Sequence, residues 1–440
     1  MKKEDIIKII IIVVLVAVLA GLLYYAFNGI KANSSNAPER NSEISSGNQG
    51  ETSTNSAASA EGATTISSDT EESGTTYSST TGGQNALLAS GGTSTLTDIT
   101  VQKTGDSSDE NSDFYGTNAG ILATNGATLN IKGGNITTNG SHANAVFAYG
   151  TGVINISDAT IKTSSNNSGG IMVTGGGTLT ANNLTVSTSG NSSASIRSDR
   201  GGGTLTVNGG KYETSGVGSP AIYSTANITV NDAELTSTSS EGAVVEGANS
   251  ITLNNTTLTD TNTTLNGNSE TYKNIFLYQS MSGDADEGNA SFTAKDSKIT
   301  TNKGDTIFVT NTTATISLTN NTIVNNDESG AFLRIQAGKW GTSGKNGGTV
   351  TLNTSNQAIT GDIFVDDIST LTMNLSEKSS YTGTINGENT AKNISLKLDN
   401  SSSITLTGDS YVTSLEDADS SYSNINFNGY KLYVNGKSIS

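Results

Sequence analysis

Gly169-Gly-Ile-Met-Val-Thr-Gly-Gly-Gly-Thr-Leu-Thr180 and Ile196-Arg-Ser-Asp-Arg-Gly-Gly-Gly-Thr-Leu-Thr-Val207 are two copies of one short unit, an aliphatic stretch, a glycine run and a Thr-Leu-Thr stretch. Working outward, Ile121, Val146, Ile171 and Ile196 stand 25 residues apart, Ile222 follows after 26 and Val244 after 22. A second series, Leu129, Ile154, Leu179, Leu205, Ile228 and Ile251, steps by 25, 25, 26, 23 and 23. Helical repeats need longer periods and helix-forming residues, both absent here. Three short strands per turn, stacked coil upon coil, fit the spacing.

The sharpest signal lies between the second and third strand of each coil. An inward apolar residue is followed five positions later by another, in the pairs Leu96/Val101, Ile131/Ile136, Ile156/Ile161, Ala181/Val186, Val207/Tyr212, Val230/Leu235, Leu253/Leu258, Ala294/Ile299 and Leu318/Ile323. Two positions after the first member the chain reads Asp98, Gly133, Asp158, Asn183, Gly209, Asp232, Asn255, Asp296 and Asn320. Every one is Gly, Asp or Asn, the types that accept φ > 0, so the column predicts a sharp left-handed corner repeated up a stack. Beside it, Asn182, Asn208, Asn231 and Asn254 are placed to form an amide ladder. Thr138, Thr163, Thr188, Thr214 and Ser237 fall at inward parity and predict a hydroxyl ladder at the core edge. The outward column between them (Thr137, Lys162, Ser187, Glu213, Thr236) is irregular, which does not support a flat threonine face for ice binding.

With 50 Gly, 2 Pro, 33% hydrophobic residues and a net charge of −17, the 440-residue chain would read as disordered if it were not periodic. The repeat is the escape, because each unit buries a few aliphatics against its neighbours, and Val, Ile, Thr, Gly, Asn and Asp are the residues of strands and turns. The chain has no cysteine, so disulfides and thiolate metal sites are excluded. The acidic balance without a basic patch argues against nucleic acid.

On the segments quoted at the outset, residues 85–440 resemble the pectin-lyase-fold, adhesin-like β-helix surface proteins of Gram-positive gut bacteria, a mostly uncharacterised group. The resemblance implies an all-β, right-handed parallel β-helix with three short strands per coil, and a surface location. It implies little chemistry, since fold does not give function. Residues 394–440 depart from the period and are expected to cap the stack.

Residues 1–8 carry Lys2, Lys3 and Lys8, and a run without charge extends from Ile9 to Phe27, with Tyr24 and Tyr25 near its end. Nineteen residues at ~1.5 Å each cover most of a ~30 Å hydrocarbon layer. Of the two readings, cleaved signal peptide and uncleaved signal anchor, the length of the run and the bulky Leu-Tyr-Tyr-Ala-Phe at its end favour the anchor. Residues 9–30 are therefore expected to span a bacterial cell membrane once, with residues 1–8 cytoplasmic and the rest extracytoplasmic. Residues 31–84 read as a flexible linker, about 40 Å end to end as a coil.

Most charged residues of such a chain are solvated surface groups, and the only histidine, His142, reads as incidental. Three features stand out. One insertion carries Asp106, Asp109, Glu110 and Asp113, followed by Phe114 and Tyr115; another carries Asp284, Asp286 and Glu287. Clustered loop carboxylates are Ca²⁺ candidates, though neither loop matches the twelve-residue Ca²⁺ pattern. Arg197, Asp199 and Arg200, the 284–287 loop, and Lys339, Trp340 and Lys345 all follow a first strand, which puts them along one edge. Coil counting separates the first two groups by ~14 Å at ~4.8 Å per coil. Trp340 on its Gly-rich loop is suited either to stacking on a sugar ring or to packing its loop on the stack.

The leading expectation is an adhesive module that binds glycan or another surface protein. The alternative is a polysaccharide-degrading enzyme, but of the polygalacturonase-like motifs only Asp366-Asp367 and Arg334-Ile-Gln336 come near, and Gly-His-Gly is absent. No catalytic residue is assigned. A third reading is an architectural envelope component without a ligand.

Overall fold

A computed structural model describes residues 60–265 and 269–439. The expected cytoplasmic segment 1–8, the anchor 9–30 and the linker up to residue 59 lie outside the described residues. Among the described residues no helix is long and apolar enough to cross a membrane.

The described chain is a parallel β-solenoid of about fifteen coils. First strands form a twelve-stranded sheet that runs from Glu61–Ile66 through Gln84–Ala89, Ile171–Thr174 and Lys273–Tyr278 to Ile363–Val365. Second and third strands share a larger sheet, and several run straight through the corner, as Gly177–Thr188 and Gly203–Thr214 do. Every pairing is parallel except the last, Leu432–Val434 with Lys437–Ser438. One cluster of buried aliphatics fills the interior from Ile66 to Leu432.

The corner column is where the sequence puts it. All nine residues from Asp98 to Asn320 have φ between 47° and 71°. The amide ladder also forms, Asn208, Asn231 and Asn254 each donating at 2.9 Å to the asparagine one coil before. Asn255 takes φ 47°, where a β-branched side chain collides with its own backbone. Asn255→Val is therefore expected to cost about 1–2 kcal/mol, and Asn255→Gly to stay within about 0.5 kcal/mol. Urea melts of the two variants check the difference. The hydroxyl column is buried and in register, and continues beyond Ser237 as Asp260 and Thr301.

Three expectations need correction. The fold starts at Glu61, not at 85: Glu61–Ile66, Thr70–Ser73 and Thr76–Ser79 form a complete coil under the next one. Its sequence looks like linker because polar residues stand where later coils have aliphatics. Glu72 stands at inward parity under Leu96, and buried Tyr77 donates its hydroxyl to Glu72 Oε2 at 2.7 Å. Polar groups thus take inward positions that aliphatics hold in the later coils. At the other end the stack does not stop at 394. Asn393–Leu398 and Ser403–Leu406 pair in register with Thr370–Ser376 and Ser380–Gly383. The tighter alternation reflects shorter coils, and the closing hairpin comes only at 432–438. Finally, Ala243 is the inward residue where the period suggested Val244.

Candidate functional site

Alternation along the first strands sends every second side chain outward. On this solenoid the outward column is apolar but for two arginines: Leu88, Leu122, Phe147, Met172, Arg197, Tyr223, Val244, Phe276, Phe308, Arg334 and Phe364 lie in register. An exposed stripe of this kind needs cover or a partner. The first insertion supplies cover at one end. Its short helix, Asn111–Tyr115, lies over the sheet, and Leu88, Leu122, Phe147 and Met172 form a second buried cluster beneath it. Gly116 makes that approach possible, since a Cβ there would lie 2.8 Å from the Phe147 ring and 2.9 Å from Leu122.

Charged clasps hold the insertions down. Asp113 Oδ2 is 2.7 Å from His142 Nδ1, and its other oxygen is 3.8 Å from Arg197. The hydrogen bond to Asp113 raises the His142 pKa. His142 is thus a tie between the insertion and the stack, a role that a reading of it as incidental missed. Arg197 also donates to Asp199 at 3.0 Å. Burial pushes Asp199 up to about 6, with Arg197 opposing the shift and Asp284 adding to it. Arg200 sits 3.8 Å over the Phe114 ring and reaches Asp284 at 2.5 Å. The ~14 Å separation expected from coil counting is therefore closed, because the 279–288 loop folds back along the stack instead of projecting outward.

Asp284 continues the chain. Ser282 donates to Asp284 at 2.7 Å, and Ser280, 2.7 Å from Ser282, donates to Glu246 Oε1. Glu246 is 1% exposed, and its other oxygen accepts from Tyr223 and, at 3.0 Å, from Tyr278. Burial raises both phenols well above their ordinary value, so both stay protonated and donate. Among the described residues Glu246 pairs with no cation; three hydroxyls hold it instead.

Beyond this network the outward stripe is open. Tyr223, Glu241, Lys273, Phe276, Tyr278 and Trp340 line a cleft of about 130 Å³. Trp340 is half-buried, its ring 5.8 Å from that of Tyr278 and tilted 48° to it. Phe276 and Tyr278 stack at 4.4 Å. Lys273 lies 4.5 Å from the Phe276 ring centre and 3.2 Å from Glu241. Trp340 and Lys339 also edge a second, smaller cleft over Phe276 and Phe308. Next to them the loop that carries Lys345 and the one that carries Glu287 wall a polar groove of about 800 Å³, floored by Asn311, Thr312 and Thr313.

The structure thus unites most of the sequence candidates on one face but divides their work. Arg197, Asp199, Arg200, Asp113 and Asp284 spend their polar atoms on one another. Trp340, Lys339, Lys345 and Glu287 stay with the open clefts. The remaining acids of the first insertion go separate ways: Asp106 accepts from the Ser141 N–H at 2.8 Å and Asp109 from that of Asn111 at 2.9 Å. Among the described residues no three acidic or histidine side chains come together as a metal group. Tyr223, Glu241, Glu246, Lys273, Phe276 and Tyr278 were missed. The signal that would have found them is parity, for in Lys273-Asn-Ile-Phe-Leu-Tyr278 the inward residues are Ile275 and Leu277, which leaves two aromatic rings pointing out.

Fold and site together define a parallel β-solenoid with one loop-walled, aromatic outer face. No protein-family model, no curated protein and no solved structure matches the chain.

Proposed function

We propose that the chain is a rod held to a bacterial cell membrane by the signal anchor at residues 9–30, with the solenoid outside, and that it binds a glycan or another surface protein through the cleft at Trp340. The observation that carries this reading is the cluster of Tyr223, Phe276, Tyr278 and Trp340 around a small open cleft, on a molecule whose other outward surfaces are largely Thr, Ser and Asn. Sugar rings dock on aromatic faces by their apolar edges, and the paired Glu241 and Lys273 give the cleft a polar wall. The test is a glycan array probed with the full-length chain. Trp340→Ala is expected to weaken binding about tenfold, or ~1.4 kcal/mol, with the melting temperature unchanged. An array without a hit would point to the surface-protein partner or to a rod with no ligand.

One observation favours a second reading. Asp199, with its pKa raised to about 6 by burial beside Arg197, is the kind of perturbed acid that polysaccharide cleavage uses, and the buried Glu246 with its two tyrosines lies on the same face. Reducing-end and unsaturated-uronate assays on uronate polymers separate that activity from plain binding.

A further inference from the structure

The second strands carry an outward face that the function above does not use. Two columns, two residues apart along each strand, run in unbroken register from Thr93 and Thr95 to Thr372 and Asn374. The eleven rungs hold only Thr, Ser and Asn, with Val153 the one exception. Five consecutive rungs of one column are Thr180, Thr206, Thr229, Thr252 and Thr293. No charge falls on either column, although 63 of the 440 residues are charged; charge returns just beyond the ends, at Glu71 and Lys397. No residue of the two columns is buried. The hydroxyls of Thr178, Thr180, Thr204, Thr206, Thr229 and Thr252 have no hydrogen-bond partner among the described residues, whereas the asparagines of the face bond along the ladder, Asn155 to Asn130 at 2.9 Å and Asn374 to Asn353 at 2.8 Å.

We infer that this face binds crystalline water, the surface of ice. Stacked coils set the rungs ~4.8 Å apart and alternation sets the columns roughly 6.7 Å apart, so the free hydroxyls form a two-dimensional lattice about 48 Å long. Threonine is stiff at χ1, which fixes each hydroxyl before contact and leaves little ordering cost for the waters it holds. A neutral, doubly periodic array of donors and acceptors is what such a lattice matches. The other occupants fit less well. Charged polymers and anionic lipids find no opposite charge, and a sugar chain finds no aromatic platform, since those lie on the first-strand sheet. The irregular third-strand column was the wrong place to look for such a face.

The test measures thermal hysteresis and ice recrystallisation with the full-length chain in neutral detergent, against detergent alone. The wild type is expected to hold a freezing-point gap and keep ice grains small. The triple variant Thr180→Lys, Thr206→Lys, Thr229→Lys should fall to the detergent level with circular dichroism and melting temperature unchanged, and Trp340→Ala should keep full activity. Absence of hysteresis in the wild type, or its survival in the triple variant, overturns the inference. So does a wild-type dimer that the triple variant dissolves, which would make the face a contact between copies.

Discussion

Asp260→Asn should make the protein more stable at pH 8 by several kcal/mol and flatten its stability between pH 4 and pH 7. Asp260 occupies a rung of the buried hydroxyl column, between Ser237 and Thr301, and is 0% exposed. One oxygen accepts from the Asn262 N–H at 2.7 Å; the other has no partner. Burial raises its pKa to about 7, with Glu241 adding to the shift and the Asn262 N–H and Lys273 opposing it. The sign follows from linkage. Between pH 4 and 7 the unfolded carboxyl has lost its proton and the folded one keeps it, so folding takes up a proton and stability falls as pH rises. Over about three pH units, at ~1.4 kcal/mol each, the loss approaches 4 kcal/mol and is complete above pH 7. Asparagine retains an acceptor for Asn262 and has nothing to ionise. Asp199, raised to about 6, leaves a smaller loss of the same sign, spread between about pH 4 and pH 6. Urea melts at pH 4.5 and pH 8 decide the matter. A variant no more stable than wild type at pH 8 would mean that Asp260 is ionised at little cost.

Phe292→Ala is the other large effect, and it should split the unfolding transition. Phe292 is fully buried, between Ile251 of the coil before and Ile316 of the coil after. Removing the ring costs about 3–5 kcal/mol in a core that cannot collapse onto the gap. In a solenoid that cost falls on two neighbouring interfaces, because each coil contacts only the next. Calorimetry is expected to resolve two transitions where the wild type shows one, as coils on either side of the weakened layer melt separately. Thr293→Ala, one residue away and facing solvent, should stay within about 0.5 kcal/mol of wild type.

The stacking was legible because the chain repeats its exceptions as well as its rule. A Gly, Asp or Asn two residues past an inward aliphatic is weak evidence once and strong evidence nine times, and Asp98 to Asn320 all turned left-handed. The amide ladder from Asn182 to Asn254 followed from the same alignment. The inward residue was misjudged at Val244 because the first strand carries apolar residues on both faces there, so hydrophobicity no longer marks parity. The opening coil was hidden for the opposite reason, with Glu72 and Tyr77 where other coils have aliphatics. The clasp from Arg200 to Asp284 was out of reach, since a period fixes where a loop leaves the stack and not the direction in which it folds. Outward aromatics such as Phe276 and Tyr278 could have been read from parity once the inward residues were known.

Every surface described here, the aromatic cleft and the threonine lattice alike, depends on equivalent residues of successive coils standing side by side. The chain has no cysteine, so two introduced cysteines carry spin labels and nothing else does. Lys162→Cys with Ser187→Cys places labels on adjacent strands in register, 25 residues apart in sequence and ~4.8 Å apart in space. Electron paramagnetic resonance should give a spectrum dominated by spin exchange between touching nitroxides. A spectrum equal to the sum of the two singly labelled proteins would contradict the stack.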